Sequence, residues 1–240
     1  MEDTAVPGTA SPSGEAPWSF PRRFVALFTS PKALFEHLER RPSWFVPLVI
    51  SLLLVVLYSV VLWNPVILPE MLARFEEQGT PDSAVQTMTS IGLPISIASA
   101  LIIGGAFTFL IAWIVQVIGG FLFGGTLSYK QALSVVAHTS LISVPAMLVL
   151  IPLALVAKTA QVSVGPGMLF PSESAEGFMG KFISFFLSSI DVFRIWQVAL
   201  TAVGISVIGR IPRGKAMAGL FSAYFLASLI GSALSAVMRR

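Results

Sequence analysis

From Ser83 to Tyr129 the chain carries no charged residue, and from Pro42 to Pro69 it carries none either. About 20 consecutive apolar residues carry a helix across the roughly 30 Å hydrocarbon core of a bilayer. Runs of this length therefore set a membrane-spanning architecture before any motif is considered. Composition agrees. Of the 240 residues 55% are hydrophobic and 11% charged, against roughly 25% charged in soluble globular domains. Mean hydropathy is +0.84. So little charge could not cover so apolar a core in water, and a soluble fold is excluded. The absence of cysteine excludes disulfide scaffolds, thiol catalysis and cysteine-type zinc sites. The formal net charge is only +3, so a pI near 9.5 reflects scarcity of charge, and nucleic acid is not implied as a partner.

The spacing of charges predicts an all-α membrane protein with five spans. The first runs over 45–63, with Trp44 and Trp63 at its ends as interfacial aromatics. Asn64-Pro65 then reads as the cap of a short amphipathic helix with Ile67, Leu68, Met71, Leu72 and Phe75 on one face, followed by a second cap at Thr80-Pro81-Asp82. Residues 83–91 are too polar for hydrocarbon, so the long uncharged run supplies one span, 93–121, ending at Gly119-Gly120 and Gly124-Gly125. The third span is 133–157, bounded by Lys130 and Lys158, with Pro145 and Pro152 expected to kink or loosen it. Residues 159–180 read as a loop. Between Arg194 and Arg210 the uncharged stretch covers only about 22 Å, so the fourth span is expected to start near Ser188 and end at 209. The fifth is 216–238.

Lys and Arg gather on the cytoplasmic side of membrane proteins. With the N-terminus inside, Arg22, Arg23, Lys32, Arg40, Arg41, Lys130, Arg210, Arg213 and Lys215 are inside; Arg74, Lys158, Lys181, Arg239 and Arg240 are outside. The Arg239-Arg240 ending runs against this orientation. Splitting 83–129 into two spans would be worse, because it would put the Arg210-Arg213-Lys215 turn outside. A cysteine at Ser172 is expected to face outside, and one at Gly214 inside.

Residues 1–17 are dominated by Pro, Gly, Ser, Thr and Ala and predict a disordered tail, with none of the features of a signal peptide. Residues 18–43 differ. Phe24, Leu27 and Phe28, then Leu34, Phe35 and Leu38, recur at helical spacing among five basic residues. Such stripes just before a span predict helices lying in the headgroup layer and favouring anionic lipid, or a platform for a membrane or cytoplasmic protein partner.

Several stretches resemble bacterial members of the Yip (Ypt-interacting protein) family. They are Ser30-Pro31 through Trp44-Phe45-Val46-Pro47; Gly124-Gly125-Thr126-Leu127-Ser128-Tyr129-Lys130-Gln131-Ala132-Leu133, running into a span with Pro145; and Asp191-Val192-Phe193-Arg194-Ile195-Trp196-Gln197, followed by Gly204 and Gly214-Lys215-Ala216. The resemblance covers about 25–238. It implies a five-span protein with a cytoplasmic N-terminus, in the bacterial cytoplasmic membrane. The Asp-Leu-Tyr-Gly-Pro-x-Trp and Gly-Tyr-x-x-x-Pro motifs of the eukaryotic branch are absent, so the resemblance does not carry Rab-type GTPase binding to this chain.

Three constellations stand out. Gly219, Ala223, Ala227, Gly231 and Ser235 recur every four residues, a stripe that lets helix backbones approach closely. It serves packing on another span of the same chain or, alternatively, a homo-oligomer seam. Asp191 and Arg194, three apart on one helix face, are the acid and base nearest a span interior, where ionisable groups are expensive. With Gln197 and His138 they form the candidate polar intramembrane site. His138 lies beside Thr139, Ser140 and Ser143 without a Gly-x-Ser nucleophile setting, and His37 is the only other histidine, so catalysis and metal binding are not expected. Glu76-Glu77, beside Gln78-Gly79, is expected in the loop between two spans and not to form a glutamate-protease site. No motif calls for a cofactor. The expected function is a non-enzymatic membrane protein that organises or binds membrane components. The alternative is a small-solute or ion transporter using Asp191, Arg194, Gln197, His138 and Gln116, although no internal repeat of the transporter type is visible.

Overall fold

The computed structural model describes residues 17–170 and 176–238. The expected disordered tail, apart from Pro17, lies outside the described residues, as does Ser172. The helices are α1 (Phe20–Thr29), α2 (Pro31–Arg40), α3 (Phe45–Leu62), α4 (Leu68–Glu77), α5 (Asp82–Gln116), α6 (Tyr129–Thr139), α7 (Ser143–Ala157), α8 (Gly177–Ser189), α9 (Val192–Gly209) and α10 (Arg213–Met238). Their starts are written locally. Pro31 occupies the first position of α2, where a missing N–H costs nothing. Ser128 and Gln131 cap α6 reciprocally.

Among the described residues five helical rods are long and apolar enough to cross a membrane: Phe45–Glu77, Asp82–Leu122, Tyr129–Ala157, Val192–Gly209 and Arg213–Met238. Large apolar side chains such as Leu53, Ile102, Leu148, Val156, Leu226 and Leu234 point outward along them, as lipid-facing surface requires.

The rods differ in detail from the sequence expectation. Asn64-Pro65 does not end the first helix. The chain passes through a π turn at Trp63–Ile67, where the Leu68 N–H bonds back to the Trp63 carbonyl, and continues as α4. The wider turn accommodates a proline that has no N–H to give. Glu76 and Glu77, expected in a loop, form the last residues of α4, and α5 starts at Asp82, so the polar stretch 83–91 is helical. In the third rod a 3₁₀ turn at Ser140–Ile142 sits just ahead of Pro145, while Pro152 lies inside α7. Part of the expected 159–180 loop is ordered as a short 3₁₀ turn, Pro166–Leu169, and as the start of α8.

The fourth rod does not begin near Ser188. Ser188 and Ser189 finish α8, the chain breaks at Ile190–Asp191, and α9 begins at Val192. Both α8 and α9 pack along α10. Tyr224, near the middle of α10, donates its hydroxyl to the Ser189 carbonyl at the break. That carbonyl is one of the C-terminal groups of α8 left without an intrahelical partner. The 158–170 segment closes over the same place. A Cβ on Gly165 would meet the Ile190 carbonyl oxygen at 2.0 Å, so the two backbones touch there.

The N-terminal helices also differ. Leu27, Leu34, Phe35 and Leu38 are fully buried, because α2 packs along α9 and α6, and α1 along α2 and α6. Phe28 meets Trp196 edge-on at 5.6 Å. Phe35 lies over Gly204, where an added Cβ would come 3.0 Å from its ring and 2.5 Å from Val135. The apolar stripes expected to enter the headgroup layer instead cover the bundle's own helices. The reason is that Gly204 leaves a groove between α6 and α9 that an aromatic side chain fills. The arrangement is helix-in-groove packing.

Candidate functional site

Asp191 is buried and stands at the N-cap of α9 in an extended conformation. One carboxylate oxygen accepts from the Phe193 N–H at 2.9 Å and, more weakly, from the Arg194 N–H at 3.4 Å. The other accepts from the Val164 N–H at 2.6 Å. The Val192 N–H returns a bond to the Val164 carbonyl at 3.0 Å. The carboxylate is thus bound by backbone donors, two that would otherwise lie unsatisfied at the start of α9 and one from the distant 158–170 segment.

The pair expected on one helix face does not form. Asp191 lies outside the helix and folds back over its first N–H groups, while the Arg194 side chain is exposed. The ion pairs among the described residues are Lys32–Glu36 at 3.7 Å and Arg210–Glu39 at 3.3 Å. A cap of this kind is hard to tell from an i,i+3 pair in sequence, since both need an acid near a helix start.

Gln197 belongs to a second polar group, about 9 Å farther along α9. The Gln197 amide donates to the Ser140 hydroxyl at 3.3 Å, and the hydroxyls of Thr139 and Thr201 lie 3.0 Å apart in the core. This ladder ties α6 to α9. His138 is fully buried. Its Nδ1 lies 2.8 Å from the Ser134 carbonyl, which can only accept, so Nδ1 carries the proton and Nε2 is an acceptor. Nε2 has no hydrogen-bond partner among the described residues, and neither does the buried Nε of Arg23.

The ring lies within electrostatic reach of Arg23 and His37. Arg23 also donates to the Ser43 hydroxyl, and burial pulls its guanidinium below the ordinary value. The helical hairpin therefore brings a cation to His138, a neighbour that local spacing could not reveal. Gln116, half-buried on α5, has no hydrogen bond to any of these groups. Ser134, Ser140 and Ser143 all donate to backbone carbonyls, so the neighbourhood contains no serine–histidine hydrogen bond. Among the described residues no group of three His, Cys, Asp or Glu could hold a metal ion.

The small-residue stripe of α10 divides. A Cβ on Gly219 would come 2.4 Å from the Phe123 ring, whereas one on Gly231 would meet nothing within 4 Å. Ala223 is half-buried near the packed end, Ala227 is exposed, and Ser235 is half-buried at the far end.

These features sit in a chain with recognisable relatives. The model of the Yip1 domain matches residues 25–235. The chain is 28% identical over 209 residues to "Membrane protein YknW" of Bacillus subtilis (strain 168), an alignment covering 85% of this chain and 84% of that protein. No solved structure matches. With five rods of spanning length and a family match over nearly its whole length, the chain is an integral, multi-pass membrane protein of the Yip1 domain family.

Proposed function

We propose that the protein is a non-enzymatic organiser of a bacterial cytoplasmic membrane, with the N-terminal hairpin inside the cell as its platform for other membrane components. One observation carries the reading. The α1–α2 hairpin is docked through its apolar face, while Arg22, Lys32, Arg40 and Arg41 remain exposed on the other. A docked element with a basic outer face is pre-organised for a partner, since its ordering cost is met within the chain. The test is site-specific photocrosslinking in cells. Probes at Arg40 and Arg41 should give discrete protein adducts, and a probe at Leu226, on the lipid-facing side of α10, should give none. Absence of adducts from the hairpin would remove the proposal. Deleting the hairpin is a poorer test, because it would strip the cover from Gly204 and Val135.

A second reading, a small-solute or ion permease, draws support from the interrupted helix at Ile190–Asp191, since interrupted helices form substrate sites in many transporters. The bound state of the Asp191 carboxylate weighs against it. Solute flux in proteoliposomes that disappears with Gln197→Ala would favour it; a panel of solutes without flux would count against it.

A further inference from the structure

We propose that the groove on the outer side of the α1–α2 hairpin binds one anionic phospholipid, with its phosphate at Arg22 and an acyl chain along Val25 and Ala33. The groove has a volume of about 640 Å³, and its lining includes Trp18, Pro21, Arg22, Val25, Thr29 and Ala33. Its polar end is well defined. The Arg22 guanidinium lies 4.1 Å from the centre of the Trp18 ring, and Trp18 is stacked on His37 at 4.8 Å. A guanidinium held on an aromatic face keeps its edge N–H groups free for a phosphate. Among the described residues, no acidic side chain lines the groove. Both acids of the hairpin are engaged elsewhere, Glu36 with Lys32 and Glu39 with Arg210.

Two further observations select a lipid over a soluble anion. Val25 is 56% exposed on the rim, whereas the apolar residues of the opposite face are buried. A free phosphate would gain nothing from such a lining. The groove also adjoins the start of the first spanning rod: Arg23, next to Arg22, is hydrogen-bonded to Ser43, two residues before α3 begins at Phe45. A basic side chain so close to the start of a span is placed for the headgroup layer, with Trp18 beside it suited to an interfacial position. The inference rests on the reading above that the hairpin is the cytoplasmic platform for other membrane components.

The test uses the full chain, released from mixed micelles into a mass spectrometer under native conditions, with phosphatidylglycerol or phosphatidylcholine of identical acyl chains. One phosphatidylglycerol per chain should be retained in preference to phosphatidylcholine. Arg22→Gln should weaken retention about five-fold, the equivalent of roughly 1 kcal/mol per basic residue. Val25→Trp, at an exposed position that leaves the core untouched, should abolish retention by filling the groove. Arg74→Gln, distant in the fold, should change nothing. Equal retention of the two lipids, or wild-type retention by both groove variants, would overturn the proposal. Full displacement by glycerol 3-phosphate would overturn it too, since that ligand has no acyl chain. Lipid selectivity without protein crosslinks would sink only the partner reading, and crosslinks without lipid selectivity only this one.

Discussion

The Asp191 carboxylate accepts the Val164 N–H at 2.6 Å across 27 positions of sequence, while capping α9 with its other oxygen. One side chain therefore fixes both the start of a spanning helix and the loop that closes over its broken end. Asp191→Ala should lower stability by about 2 kcal/mol, a lost cap plus an unsatisfied N–H. Arg194→Gln, on an exposed side chain, should change it by under about 0.5 kcal/mol. Thermal unfolding in detergent reads both. Equal losses from the two variants would mean that the residues act as a pair.

Gly204 should tolerate no side chain. Gly204→Ala places a methyl 2.5 Å from Val135 and should cost about 1–3 kcal/mol through overpacking. Val135→Ala on the same chain should recover part of the loss. Hairpin docking can be followed by proteolysis near Arg41, which the single variant should accelerate.

The α10 stripe makes an asymmetric prediction. Gly219→Ala drives a methyl into the Phe123 ring and should destabilise the monomer; Gly231→Ala meets open space and should leave monomer stability unchanged. If Gly231→Ala instead abolishes disulfide crosslinking of an Ala227→Cys chain, the exposed half of the stripe is a seam between copies.

Orientation is open to direct measurement, since the chain has no native cysteine. Gln78 and Gly214, both exposed, lie one and four crossings along the chain from the hairpin. With the hairpin inside, Gln78→Cys should react with an impermeant maleimide in intact cells, and Gly214→Cys only after lysis. The opposite pattern would invert the topology and place the hairpin outside.

The Glu39–Arg210 contact should matter little. Arg210 is largely exposed, and such pairs contribute about 0–1 kcal/mol. Glu39→Gln should lower the melting temperature slightly at low salt and not at all in high salt, where screening removes the attraction.

The residues that the sequence made legible share one property: their role is set by close neighbours along the chain or by the solvent they face. The absence of charge between Ser83 and Tyr129 specified a membrane span because lipid penalises charge wherever it occurs. Helical spacing marked Leu34, Phe35 and Leu38 as one apolar face, and the family resemblance followed from contiguous stretches that the Yip1 domain match bears out. What covers that apolar face was not legible. Lipid and a glycine-floored groove are equally apolar, and only the approach of α2 to Gly204 distinguishes them. The Asp191–Arg194 spacing fitted an ion pair as well as a cap, until Val164 came into contact from a distant loop. Sequence alone therefore determined the solvent and the number of rods, because those depend on summed hydropathy. Tertiary structure alone decided where the fourth rod breaks, which polar groups meet and which face the hairpin hides, because each depends on contacts between segments far apart in the chain.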